Sequence, residues 1–141
     1  MEDKVKFGFI DVGKSNKVLE FKKKYLGIEG KFIQVKINGE EYIRVGYLGH
    51  RKILEETLNE FKLKFDTKSY GIPLEKGNNY KLIGAGKIEF LGDKLNFYDY
   101  SRDYFDKVKG ANRKNLEEMF GAENLTEGRE GLFGPSFLVK I

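Results

Sequence analysis

"KFIQVKINGEEYIRVGYLGHRKILEETLNEF", residues 31–61, places two apolar runs, a turn and an amphipathic stretch in succession. Residues 31–37 and 41–47 are rich in β-branched and aromatic side chains, and "NGE" between them marks a hairpin. Two registers compete. A two-residue Asn38-Gly39 turn sets Ile33 against Arg44, whereas a three-residue loop over 38–40 sets Ile33 against Val45 and Val35 against Ile43. A one-residue slip turns every side chain to the other face, so the apolar match favours the three-residue loop. That register places Lys31 opposite Tyr47, on the face of Ile33, Val35 and Ile37. His50, the only histidine, then opens a helix in which Leu54, Leu58, Phe61 and Phe65 share one face and which ends near Lys64.

Working outward, residues 5–12 alternate as a strand with Val5, Phe7 and Phe9 on one side. Ser15 is positioned to cap a short helix carrying Val18, Phe21 and Tyr25 and stopping at Gly27. Residues 66–79, with Gly71, Pro73 and Gly77, read as a long loop or flap. "KIEFLGDKLNFY" makes a second hairpin, in which a Gly92-Asp93 turn matches Phe90 with Leu95 and Ile88 with Phe97. Continued outward, this register sets Gly84 opposite Ser101. "NRKNLEEMFG" predicts a helix with Leu116, Met119 and Phe120 inward and Gly121 as its stop, and "SFLVKI" a last strand. Together these elements predict an α/β (α+β) fold: a single mixed β-sheet of about five to six strands flanked by helices on both faces. A chain of 141 residues suits one domain spanning 1–141.

Composition narrows the chemistry. The absence of cysteine removes disulfides, thiolate metal sites and cysteine nucleophiles, and a single histidine removes HExxH zinc sites. No metal and no cofactor is expected. The 26 basic and 22 acidic residues are interspersed, so the net charge of +4 favours anionic partners only mildly; "FKKKY", 21–25, is the one dense basic run. No apolar run reaches the roughly 18 to 20 residues that cross a bilayer, and "MEDKVKF" lacks the apolar core of a signal peptide. A cytoplasmic monomer without membrane contact is the expectation.

The chemistry-bearing residues cluster around the first hairpin. An antiparallel pair brings its outer ends to one edge of the sheet, so Lys31 lies near His50. A histidine in the first helical turn meets the positive end of the macrodipole, which disfavours imidazolium and leaves a neutral ring able to accept a proton. Taken alone, His50 reads better as a solvent-facing helix-start residue, and Lys31 as a lysine reaching past the core edge. "GAGK", Gly84 to Lys87, offers close-approaching backbone amides with a following cation, yet two glycines entering a strand also suit a bulge. In "YDYSRDYF", Ser101 and Arg102 follow a strand end, Ser101 reading as an anion donor or as a turn hydroxyl.

The ordered set resembles the phosphohistidine phosphatase (Janus/Ocnus) family. The matching pieces are the strand-entering Lys31 in "GKFIQVKI", the strand, tyrosine and helix-heading histidine of "IRVGYLGHRKIL", the "GAGKI" segment, and the tyrosine, serine and aromatic of "YDYSRDYF". The likeness covers roughly residues 30–120. Ala85 stands where the family has a middle glycine, and Asp103 where it has a small neutral residue. The resemblance implies a metal-independent phosphatase on a mixed sheet. His50 would be the general base that activates water, Lys31 and Lys87 phosphate ligands, and Ser101 with nearby amides an oxyanion cradle. Gly84, Ala85 and Gly86 would shape the pocket, with Arg102 beside them. The implied partner is a phosphohistidine-containing protein or a small phosphorylated substrate.

Two other readings remain. A nucleic-acid-binding module would use "FKKKY", Arg44, Arg51 and the aromatics of "NFYDYSRDYF", although the many carboxylates argue against a broad basic groove. A phosphate- or nucleotide-binding protein of the same fold without hydrolysis is the other, motivated by Asp103.

Overall fold

The computed structural model describes residues 5–11, 17–20, 27, 29–65, 75–76, 80–104, 108, 110–128 and 136–141. Its strands are β1 (Phe7–Asp11), β2 (Lys17–Glu20), β3 (Glu29–Ile37), β4 (Glu40–Gly46), β5 (Glu75–Lys76), β6 (Tyr80–Phe90), β7 (Lys94–Tyr98), β8 (Leu125–Glu127) and β9 (Phe137–Lys140). Helices α1 (His50–Glu60) and α2 (Arg113–Phe120) complete the regular elements, apart from two single 3-10 turns. The strands join in one sheet of order β2-β1-β4-β3-β6-β7-β9-β8, with β5 on β6. Only β1 with β4 runs parallel; the other pairs are antiparallel.

The expected layout of five to six strands flanked by helices on both faces is therefore corrected. Eight strands lie along the main path and the described residues hold only two helices, so the molecule is mostly sheet. Two segments account for much of the difference. Residues 17–20 form an edge strand in place of the short helix, with Leu19 opposite Phe9 and Val18 opposite Ile10. The exposed edge of β1 supplies a row of backbone partners, which outweighs a weak local helical spacing. Residues 125–127 form a strand too short to show a period, held by pairing with β9. "FKKKY" and nearly all of the 66–79 loop lie outside the described residues.

The first hairpin takes the other register. Ile37 pairs with Glu40, Ile33 with Arg44 and Lys31 with Gly46, leaving Asn38 and Gly39 as a two-residue turn. Both turn residues have positive φ, 51° and 84°, the conformation that Asn-Gly adopts most readily and that matches strand twist. The apolar match misled because β3 and β4 are buried on both faces, so alternation carries little register information. Arg44 consequently sits on the face of Ile33, fully buried, and is neutralised there: its Nε and Nη2 donate to the two carboxylate oxygens of Glu60 at 2.9 and 2.8 Å.

α1 ends four residues before the predicted stop. Lys62 adopts φ 58°, and Leu63 N–H reaches back to Leu58 O at 2.9 Å, closing the C-terminus. Its inner side, Ile53, Leu54 and Leu58, joins Ile33, Val35, Ile37 and Tyr42 in one apolar cluster, which Phe61 and Phe65 border. The second cluster gathers Phe32, Ile43, Val45, Ile88, Phe97 and Val139 with Leu116 of α2, and Met119 and Phe120 border it. α2 follows its expected course, with Asn112 Oδ1 capping Asn115 N–H and Gly121 at φ 92° ending it. No helix among the described residues is long and apolar enough to cross a membrane.

Candidate functional site

The site grows from the point where β4 ends and α1 begins. Gly46 closes β4, three residues turn the chain, and His50 is the first residue of α1, with Gly49 extended before it as the N-cap. The ring does not face solvent: His50 is 5% exposed, and its Nε2 lies 2.7 Å from the carbonyl oxygen of Gly86 on β6. A carbonyl only accepts, so Nε2 carries the proton and donates it. In the neutral ring the lone pair is then on Nδ1.

Strand pairing adds the cations. Lys31 lies directly opposite Lys87 across β3 and β6, and opposite Gly46 on its other side. Directly opposed residues of an antiparallel pair share a face, with Cβ atoms about 4.5–5.5 Å apart. Alternation from Ile33 puts both lysines on the α1 side of the sheet, level with the start of that helix. Like charges directly opposite one another destabilise a sheet. Lys87 is relieved by Asp99, whose Oδ2 is 3.5 Å from its Nζ. Lys31 is half-buried and has no carboxylate partner among the described residues. Two cations beside a helix N-terminus that holds no acidic residue in its first turn make a local field suited to an oxyanion.

The glycines let neighbouring backbone approach β6 closely. β7 follows the predicted register, Phe90 with Leu95 and Ile88 with Phe97, only as far as Lys87 with Tyr98. Asp99 then turns at φ 56°, a conformation that aspartate tolerates, and the chain leaves the sheet. Ser101 is thus not opposite Gly84. That place is taken by the chain around Gly110, whose carbonyl oxygen accepts from Ala85 N–H at 3.3 Å. A Cβ on Gly84 would stand 2.7 Å from the Gly110 oxygen, and one on Gly86 would stand 2.7 Å from the oxygens of Tyr98 and Asp99. Glycine at 84 and 86 admits crossing backbone; Ala85 between them is fully buried in the α1-side cluster.

His50, Gly86, Lys87 and Lys31 are therefore connected by contact or by pairing. Ser101 and Arg102 are not joined to them by any hydrogen bond among the described residues. Ser101 is completely buried and its Oγ has no hydrogen-bond partner there, while Arg102 is exposed on the 3-10 turn Arg102–Tyr104. The side chain of Asp103 lies outside the described residues. Asp99 is the residue that sequence reasoning missed; its signal was an aspartate just past a strand end in "FYDYS", a favoured place for left-handed backbone. No group of three metal-ligating side chains occurs among the described residues. A cleft of about 440 Å³ lies at the other end of the β3–β4 hairpin, among Lys6, Lys36, Glu40, Glu41 and Glu118, where Lys6 and Glu40 form an ion pair. Its β3 residue, Lys36, is five residues along the strand from Lys31, and the cleft is separate from the His50 site. No family model, curated protein or solved structure matches the chain.

Proposed function

We propose that the protein is a metal-independent phosphatase that hydrolyses phosphohistidine, or a related phosphoramidate, in proteins, as the phosphohistidine phosphatase family does. The observation that carries this reading is the opposition of Lys31 and Lys87, one of them without a counter-ion among the described residues, beside a histidine whose tautomer is fixed by Gly86. Lys31, Lys87 and the first amides of α1 would neutralise the phosphoryl oxygens. His50 Nδ1 would take a proton from water as the water oxygen bonds to phosphorus. The P–N bond breaks and its electron pair returns to the bonded nitrogen, so that the imidazole, having taken a proton from solvent on its other ring nitrogen, leaves as the neutral ring. Once that nitrogen is protonated the P–N bond is labile, so positioning and charge suffice for the rest. Gly84, Ala85 and Gly86 hold the wall behind the site, and a cytoplasmic monomer acting on phosphorylated protein fits the cysteine-free sequence.

The test is phosphate release from a phosphohistidine-containing protein in the presence of EDTA. Wild type should turn over, and His50→Ala should be slower by about 10² to 10⁴-fold, the usual contribution of a general base. No release by wild type, or equal rates for the two, overturns the catalytic reading. One observation favours a second function, phosphate binding without turnover: Asp99 holds a carboxylate 3.5 Å from Lys87, where it competes with an incoming anion. Phosphate binding by a protein that shows no His50-dependent turnover would identify that case.

A further inference from the structure

The two opposed lysines belong to a longer pattern on the same sheet face. Two residues along each strand, Glu29 lies directly opposite Glu89, so a row of paired cations is followed by a row of paired anions. The rows extend across β7, with Tyr98 opposite Lys87 and Asn96 opposite Glu89. Successive same-face residues of a strand are about 6.6–6.8 Å apart, which sets the spacing of the rows. Neither row is neutral within itself. Tyr98 Oη donates to Glu29, while the half-buried Glu89 side chain has no hydrogen bond or ion pair among the described residues, as is true of the Lys31 side chain. α1 covers the apolar part of this face around Ile33 and Val35, and its first residue, His50, meets β6 at Gly86, next to the charged part.

We infer that this charged face selects the substrate: it fits a phosphorylated protein segment that carries a lysine or arginine two positions from the phosphorylated residue. This rests on the phosphatase reading of the same site. An extended segment laid on the sheet repeats at the sheet's own spacing, so a phosphate on Lys31 and Lys87 puts the side chain two residues away over Glu29 and Glu89. A basic side chain there meets two carboxylates, one of them without another partner among the described residues. An acidic side chain meets the same carboxylates with like charge, and so does a polyanion such as nucleic acid, whose next phosphate would fall on the acidic row.

The experiment compares three phosphohistidine peptides, identical except for Lys, Ala or Glu at the two positions flanking the phosphohistidine at a distance of two. Free phosphohistidine serves as a substrate with no flank. Phosphate release is measured with EDTA at low and at physiological salt, for wild type and Glu89→Gln. The Lys peptide should exceed the Glu peptide about fivefold in kcat/KM at low salt, with the ratio shrinking as salt is added. Glu89→Gln should lower that ratio and leave turnover of free phosphohistidine unchanged. Equal rates for the three peptides, a preference for Glu, or a Lys preference that survives Glu89→Gln overturns the inference. If free phosphohistidine is still hydrolysed in those cases, the phosphatase reading stands; if no substrate is hydrolysed, both fail.

Discussion

The buried ion pair between β4 and α1 makes a quantitative prediction. Arg44 is fully buried, the side chain of Glu60 is 14% exposed, and the pair is bidentate at 2.8 and 2.9 Å. Arg44 Nη1 adds bonds to the carbonyl oxygens of Ile43 and Lys6 at 3.0 and 3.3 Å, so the guanidinium is held on every side but has one counter-charge in these contacts. Glu60→Gln keeps the shape and removes that charge, leaving a buried cation uncompensated. Breaking such a pair from one side costs about 3–5 kcal/mol, and the partial exposure of Glu60 places this case toward the lower figure. For a chain of this size the loss corresponds to roughly 10 °C in Tm. Replacing both partners with apolar side chains, Arg44→Met with Glu60→Leu, removes the stranded charge and should recover most of the loss. Urea unfolding of wild type, Arg44→Met, Glu60→Leu and the double variant closes the cycle and isolates the coupling, with Glu60→Gln measured beside them. A Glu60→Gln cost below about 1 kcal/mol would place the pair among solvated surface pairs. A double variant no more stable than Glu60→Gln would equally refute the explanation of why Arg44 is tolerated on an apolar face.

Three further outcomes follow from local geometry. Gly86→Ala drives a Cβ to 2.7 Å from two backbone oxygens and 3.1 Å from the Phe32 ring, and should cost about 1–3 kcal/mol in urea unfolding while perturbing the His50 Nε2–H resonance. Lys31→Gln relieves like-charge opposition with Lys87, so the free protein should melt at the same temperature as wild type or slightly higher, while the stabilisation conferred by added phosphate shrinks. Glu41 is held above the ordinary carboxyl value of 4.5, first by burial, then by the neighbouring Glu118 charge and a hydrogen bond with it, with Lys36 and Lys114 acting in opposition. The folded state therefore binds this proton more tightly than the unfolded chain. Its contribution is complete below 4.5 and is lost as pH rises through the folded value. Melting curves across that window should show Glu118→Gln flattening the loss and raising Tm at pH 7.

The helix start at His50 and the second hairpin were legible because they depend on short-range features. The second hairpin was readable from Gly92-Asp93, since a two-residue turn and the apolar match of Phe90 with Leu95 agree. His50 at a helix start and Lys31 near it follow from either register of the first hairpin, because a slip of one residue moves the strand ends by a single step. The register itself was misread: burial on both faces erased the alternation, and the compensation of Arg44 by Glu60, sixteen residues away, leaves no local trace. The edge strand 17–20 and the three-residue strand 125–127 owe their form to partners rather than to their own sequence. The departure of the chain at Asp99, which moves Ser101 away from Gly84 and brings Gly110 in, is likewise a long-range event.

The central claim is that Lys31, Lys87 and His50 together form a phosphate site. The most direct measurement is the position of a bound phosphate, or of tungstate as its electron-dense analogue, in crystals of the protein. The account predicts an anion within about 6 Å of both the Lys31 ammonium and the His50 ring, in direct or one-water contact. An anion bound elsewhere, such as in the cleft beside Lys6 and Lys36, with nothing near Lys31 and His50, would contradict it.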